Sequence, residues 1–272
     1  MKLSEADKQP AWCPGCGNYS ILETLKEVLD ELYPDKSGLV LVSGIGQAAK
    51  LPHYIEANVF NGLHGRALPA ASGIKLVNHT LEVLVTSGDG DMYGEGGNHF
   101  IHAIRRNIGI KAMVHNNQVY GLTKGQASPT SEPGFVTGIQ IHGVKSFPFN
   151  PIALAIVEDC SFVARSFSGE KEHLKEMMKA VLKHRNGFAL LDILQPCVSF
   201  NHTNTFKWYK ERIKPLDENY DPFNREAALK TALSTENEIA VGIIYRSRRK
   251  SFEDSLEVLE NGPLIDRYEK NK

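Results

Sequence analysis

Residues Ser87–Thr130 read SGDGDMYGEGGNHFIHAIRRNIGIKAMVHNNQVYGLTKGQASPT. Twenty-five residues (91–115) separate Gly90 from the pair Asn116-Asn117. Between them lie a helix-like run, Glu95 to Arg106, and a short apolar strand, Lys111 to His115. The preceding strand, Leu81 to Thr86, runs into Gly88-Asp89-Gly90. This places a carboxylate at the carboxyl end of a parallel sheet, where open α/β folds bind ligands. The flanking glycines let backbone N–H groups approach a ligand with no Cβ in the way. The next strand returns to the same edge with Asn117. Magnesium takes octahedral oxygen ligands, one or two from protein and the rest from phosphate and water. One Asp, one Asn and a nearby backbone carbonyl meet that need, so the layout points to a metal-bridged diphosphate.

Outward from this stretch the pattern alternates. Trp12-Cys13-Pro14-Gly15-Cys16-Gly17-Asn18 forms a tight Pro-Gly turn that points two sulfurs the same way. Asn18 is the expected N-cap of a helix whose apolar face is Ile21, Leu22, Leu25, Val28, Leu29 and Leu32, ended by Pro34. Leu39 to Val42 is an all-apolar strand leading into Ser43-Gly44-Ile45-Gly46-Gln47-Ala48-Ala49-Lys50. That turn lacks the third glycine of a dinucleotide fingerprint. Leu63-His64-Gly65-Arg66-Ala67 precedes a small-residue helix, Ala67 to Leu76, and its guanidinium suits phosphate oxygens. Residues 119–130 are too broken by glycine and proline for a strand or helix, and their Lys and hydroxyl groups suit an anionic substrate. Residues 131–150 read as a long loop, either a lid or a contact between subunits. Further on, 151–157 and 171–184 read as helices, and 161–165, 189–194 and 239–245 as strands. Residues 251–272 read as a helix and a mobile polar tail. Glu95, His99 and His102 share one helical face at zinc-compatible spacing, but nothing completes such a site, so they read as a polar face.

The expected fold class is therefore α/β, a Rossmann-like parallel sheet with helices on both faces and right-handed crossovers. Residues 1–198 form the domain, and 199–272 form a C-terminal extension packed on it. The chain has 272 residues, 23% charged and 42% hydrophobic, with a net charge of −1. No basic stripe suggests nucleic acid, and no apolar run approaches the ~20 residues of a membrane span. The first residues carry no signal-like apolar core, which makes the expected location cytoplasmic. Four cysteines, Cys13, Cys16, Cys160 and Cys197, in a reducing compartment point to metal, cluster or redox chemistry rather than a structural disulfide.

Taken in order, WCPGCGN, the LHGRA loop, GDG…NN, YGLTKGQASPT and DILQPC resemble the β subunits of 2-oxoacid:ferredoxin oxidoreductases, from about Trp12 to Ile213. The resemblance implies a thiamine-diphosphate-binding fold with a six-stranded parallel sheet. It implies that Asp89, Asn117 and the Val119 carbonyl hold Mg²⁺ against the diphosphate, with Gly88 and Gly90 beside it and His64 and Arg66 approaching it. Lys50, Leu122 and Lys124 fall where the family meets substrate. An α subunit would supply the pyrimidine half-site and the activating glutamate. The reaction implied is coenzyme A-dependent oxidative decarboxylation of a 2-oxoacid, with electrons passing through a [4Fe–4S] cluster to ferredoxin. YGLTKGQ leans toward the branch that uses 2-oxoglutarate or a broad range of 2-oxoacids. Cys13, Cys16 and Cys197 match cluster ligands. Gln47 stands where many relatives have a fourth cysteine, which leaves open a cluster with another ligand, a lost cluster, or zinc. Half of a non-oxidative decarboxylase and a non-catalytic iron–sulfur or zinc module are the alternatives.

Overall fold

The structure, a computed structural model, describes residues 9–35, 37–234 and 238–270. The expectations for the first eight residues and the last two lie outside them. The chain begins with α1 (Gly17–Leu32) and β1 (Leu39–Ser43), followed by a 3₁₀ turn (Ala48–Tyr54) and β2 (Asn58–Asn61). Then come α2 (Ala67–Val77), β3 (Glu82–Gly88), a π-helical turn (Gly90–Glu95), α3 (Gly97–Arg106) and β4 (Ile110–Asn116). A small hairpin follows, β5 (Val119–Tyr120) with β6 (Gln126–Ala127), then α4 (Pro151–Val157), β7 (Phe162–Phe167), α5 (Lys171–Lys183) and β8 (Ala189–Leu194). The last part holds α6 (Phe206–Lys210), β9 (Ile213–Pro215), α7 (Arg225–Leu233), β10 (Ile239–Arg246), two short 3₁₀ turns and α8 (Leu264–Lys270).

One eight-stranded sheet, in the order β2-β1-β3-β4-β8-β7-β10-β9, forms the frame. The first six of these run parallel. β10 is antiparallel to β7, and β9 is parallel to β10. The expected parallel sheet is present in those first six strands, and β10, in the C-terminal extension, departs from it by pairing antiparallel to β7. β2 escapes a sequence reading because Asn58-Val59-Phe60-Asn61 is exposed along its whole length and carries no buried pattern.

Alternate residues of each central strand serve opposite faces. Val83, Val85, Ala112 and Val114 pack with Phe100, Ile104 and Ile152 from α3 and α4. Leu84, Met113 and Leu191 pack on the other face with Ile21, Leu25, Met178 and Leu182 from α1 and α5. With both faces covered, β3, β4, β7 and β8 are almost wholly buried, which is why apolar residues dominate them without alternating, the few charged ones such as Lys111, Arg165 and Asp192 being buried too. Their carboxyl ends, at Gly88, Asn116, Phe167 and Leu194, line up on one edge. No helix among the described residues is long and apolar enough to cross a membrane.

Three local expectations are also corrected. The run from Glu95 to Arg106 is not one helix, because Gly90–Glu95 forms a π turn before α3. Glu95 ends that turn, outside α3, while His99 and His102 lie within α3. Asn18 does not cap α1, whose N-cap is Cys16. The Asn18 side chain instead meets buried His115 at 2.7 Å, tying the helix to β4. Residues 119–127 do contain strand, as the two-residue pairs of the β5–β6 hairpin.

Candidate active site at the carboxyl edge

Asp89 follows β3, is 1% exposed, and sits at the entrance to the π turn. Its Oδ2 accepts hydrogen bonds from Ser128 Oγ at 2.5 Å and Thr130 Oγ1 at 2.7 Å. Its Oδ1 receives only a long contact, 3.5 Å, from the Asn117 backbone N–H. The turns after β3 and β4 therefore meet. No cationic side chain among the described residues pairs with this carboxylate. Burial pushes its pKa up to about 6, against the pull of Ser128 and Thr130. A buried carboxyl with lone pairs to spare and no cation beside it has the chemistry of a metal ligand.

Around Asp89 opens a cavity of 80 Å³ whose wall includes Gly88, Gly90, His64, Asn117, Val119 and Leu122. Gln47, from the turn after β1, is also on that wall, whereas Arg66, Lys50 and Lys124 lie outside it. Arg66 donates from Nη1 to the backbone oxygens of His64, Gly65 and Glu95, at 3.4, 3.3 and 3.2 Å. It knits two turns together. Lys50 is half-buried on the 3₁₀ turn, and Lys124 is exposed in the hairpin loop with φ +77°. Asn117 Oδ1 accepts from the Val119 N–H at 3.0 Å, and its Nδ2 donates to Gln195 Oε1 at 3.3 Å.

A reading of GDG alone passes over Asp91, one residue on. Its Oδ1 accepts from the Ile45 N–H at 3.1 Å and the Gly65 N–H at 2.7 Å, and its Oδ2 accepts from Ser87 Oγ at 2.6 Å. One buried carboxylate thus holds together the turns after β1, β2 and β3. His64 Nδ1 lies 3.3 Å from Asp91 and 3.2 Å from Glu95, and Glu95 also accepts from the Tyr120 hydroxyl at 3.1 Å. These contacts account for two of the glycines. A Cβ on Gly44 would fall 2.0 Å from Asp91 Oδ2, and one on Gly90 would fall 2.3 Å from the Tyr120 ring. The glycine turn after β1 thus makes room for an internal carboxylate. Gly44→Ala is expected to lower stability by about 1–3 kcal/mol, as overpacking does, read as a lower urea midpoint at unchanged slope. An unchanged midpoint would show that Asp91 moves aside freely.

Beside this cavity lies a smaller one, of 30 Å³, whose wall includes Cys13, Cys16, Cys197, Gln47 and Gln195. The Pro-Gly turn closes as expected, with the Cys16 N–H bonded to the Cys13 carbonyl at 3.0 Å and Gly15 at φ +77°. Burial, with Cys197 and Cys13 nearby, pushes the Cys16 thiol up to about 11. Gln47 Oε1 is buried without a hydrogen-bond partner. Cys160 is fully buried, away from this cavity, and donates weakly to the Phe162 and Phe188 carbonyls.

The similarities of the chain agree with this geometry. Residues 39–193 match the family model "Thiamine pyrophosphate enzyme, C-terminal TPP binding domain", and residues 197–261 match the model of the C-terminal part of the pyruvate ferredoxin oxidoreductase β chain. The chain is 44% identical over 252 residues to the β subunit of 2-oxoacid:ferredoxin oxidoreductase 1 of Aeropyrum pernix, covering 86% of this chain and 77% of that one. It is 42% identical over 281 residues to the corresponding subunit of Saccharolobus solfataricus, covering 94% and 90%. A solved 2-oxoglutarate:ferredoxin oxidoreductase from Magnetococcus marinus superposes with a TM-score of 0.92 at 30% identity, covering 96% of this chain and 90% of that one. A sheet edge that gathers Asp89, Asn117 and three cysteines, on a chain this similar to those proteins, has one family to which it answers: the chain belongs to the β subunits of 2-oxoacid:ferredoxin oxidoreductases.

Proposed function

We propose that this chain holds the diphosphate end of thiamine diphosphate, through Mg²⁺, for the coenzyme A-dependent oxidative decarboxylation of a 2-oxoacid. The observation that carries the reading is Asp89: a buried carboxyl, hydrogen-bonded by two hydroxyls on one oxygen, with no cation of its own among the described residues, at the edge of an 80 Å³ cavity. Asp89, the Asn117 side chain and the Val119 carbonyl are the oxygen donors proposed for the metal. Ser128 and Thr130 fix the rotamer of Asp89, so that its second oxygen is left to the ion. Gly88 leaves the cavity wall open, since a Cβ there would meet nothing closer than Ala48 at 3.9 Å. His64, on the cavity wall, is the proposed partner for phosphate oxygens. Arg66 shapes the wall at His64 by holding backbone oxygens there. Bound there, thiamine diphosphate supplies the electron sink for decarboxylation, and the protein supplies position and charge.

Leu122, on the cavity wall, and the cations of Lys50 and Lys124, nearby on the chain, are the proposed substrate-facing groups. The Magnetococcus marinus enzyme is described with 2-oxoglutarate, coenzyme A and succinyl-CoA bound, which supports a 2-oxoacid and an acyl thioester as substrate and product. An α subunit is the proposed source of the pyrimidine half-site, and ferredoxin the proposed acceptor. Cys13, Cys16 and Cys197, which line one cavity with Gln47, are the proposed cysteine ligands of a metal cluster on the electron path. Among the described residues they do not form a three-ligand metal group, so holding a cluster requires them to close on it. The orphaned amide oxygen of Gln47 matches a site that lacks one partner.

The test is to purify the chain with its α subunit anaerobically and to follow 2-oxoacid-dependent reduction of a viologen dye with coenzyme A. Turnover that requires thiamine diphosphate and Mg²⁺ and yields an acyl thioester is the expected result. Release of an aldehyde without an electron acceptor, or no turnover with any 2-oxoacid, would overturn it. Iron, sulfide and zinc content of the same preparation decides what the cysteines hold.

A further inference from the structure

The two cavities at the sheet edge share Gln47, Asn117 and Gly121 in their walls, and one buried side chain on the cysteine side reaches across to Asn117. Gln195 follows β8, is 1% exposed, and receives the end of the β4 ladder through its N–H bond to the Asn116 carbonyl at 2.9 Å. Its Oε1 accepts from Asn117 Nδ2 at 3.3 Å. Its Nε2 donates to the Pro196 carbonyl at 2.9 Å and to Cys16 Sγ at 3.5 Å. An amide has one acceptor end and one donor end, so these partners allow only one orientation. Gly17 makes room for it, because a Cβ there would fall 2.8 Å from Gln195 Cγ. A glycine at the first position of a helix and a buried glutamine at a strand end are thus matched to one another.

We propose that Gln195 is a positioning residue that couples the Asp89 cavity to the sulfur of Cys16. It turns the Asn117 amide so that its nitrogen faces away from Asp89. The same side chain donates an N–H to sulfur, which stabilises electron-rich sulfur, whether thiolate or metal-bound. Filling the Asp89 cavity engages Asn117, and the shift passes through one rigid amide to Cys16. By linkage, a change at the sulfur must alter cofactor affinity by the same factor. The inference rests on the reading of Asn117 as part of the cofactor site.

The test uses the chain with its α subunit, as wild type, Gln195→Leu and Gln195→Glu. Binding of thiamine diphosphate with Mg²⁺ is measured by calorimetry. The state of the sulfur is read as the midpoint potential of the metal group where the complex carries iron. Where it does not, the readout is the rate of iodoacetamide alkylation at Cys16, resolved by peptide mass spectrometry. In wild type, cofactor is expected to shift the alkylation rate about fivefold, the worth of one hydrogen bond, or to shift the potential measurably. Gln195→Leu is expected to bind cofactor about fivefold more weakly and to lose the dependence. Gln195→Glu retains an acceptor for Asn117 but offers no amide donor to sulfur. It is expected to restore affinity to near wild type while the dependence stays lost, a split that general loosening of the fold would not produce. Cofactor binding with no effect at Cys16 in wild type, or an unchanged effect in Gln195→Leu, overturns the coupling alone. Failure of wild type to bind thiamine diphosphate overturns the function proposed above as well.

Discussion

Asp89→Asn should make the cofactor-free protein more stable at neutral pH and abolish Mg²⁺-dependent binding of thiamine diphosphate. Both effects follow from the same buried carboxyl. Burial raises its pKa from the ordinary 3.8 to about 6. A carboxyl raised in the folded state contributes stability that is complete below about 3.8 and is lost as the pH climbs through about 6. At pH 7.5 the metal-free fold therefore bears an ionised group in a dry place, at a cost of roughly 3 kcal/mol. An amide of the same shape removes that cost and still accepts from Ser128 and Thr130, though more weakly than a carboxylate. The net expectation is a rise of roughly 5 °C in the unfolding midpoint for a chain of this size. Cofactor affinity in Mg²⁺ should fall by at least about 100-fold, since even outer partners of a metal site are worth 10–100-fold. In wild type the affinity should weaken as the pH drops through 6, and binding near that pH should release protons, measurable by calorimetry in buffers of different ionisation enthalpy. A destabilised variant, or one that binds cofactor as wild type does, would sink the metal-ligand role.

How much of this was legible before the fold was known depends on whether a residue's task is local. The buried parallel strands were readable because each has apolar residues facing both layers, and the turn after β3 because glycines and a carboxylate sit together at a strand end. The convergence of Asp89 and Asn117 followed from the strand–helix–strand unit between them. Asp91, Gln195 and Asp192 were not readable in the same way. Asp91 and Asp192 act on groups between 4 and 99 positions away, and Gln195 reaches Cys16 at 179 positions; polar residues at such positions carry no periodic signal. β2 and the β5–β6 hairpin were hidden for another reason: they are short, and backbone pairing rather than side-chain burial defines them. Arg66 and Lys124 were singled out by charge, and Lys50 by its match to the family's substrate-facing positions. Yet the position of a long charged side chain is decided by backbone oxygens and turns that only the fold brings near, as Arg66 illustrates.

Asp192→Ala should be among the most damaging single substitutions in the chain, although Asp192 enters the sequence reading only as the first residue of DILQPC, with no role of its own. Its carboxylate is fully buried and accepts from Arg165 Nε at 3.1 Å, Tyr93 OH at 3.0 Å and Asn116 Nδ2 at 3.1 Å. The Arg165 side chain is itself 8% exposed. Removing the acid leaves a buried cation without its partner, which costs about 3–5 kcal/mol. The loss should also reach the site. Asn116, held by Asp192, presents Oδ1 to Thr130 Oγ1 at 2.9 Å, and the same hydroxyl lies 2.7 Å from Asp89. One hydroxyl proton serves only one acceptor, so the amide orientation that Asp192 enforces makes Asn116 and Asp89 compete for Thr130. Without Asp192 the Asn116 amide is free to turn, and Thr130 then belongs to Asp89 alone. Denaturant unfolding of Asp192→Ala, Arg165→Leu and the double variant isolates the cause. Removing both charges should recover most of the stability that Asp192→Ala loses, because no unpaired ion then remains inside. If the double variant is as unstable as the sum of the single ones, the two side chains act independently, and the damage comes from the cavity left by Asp192 instead.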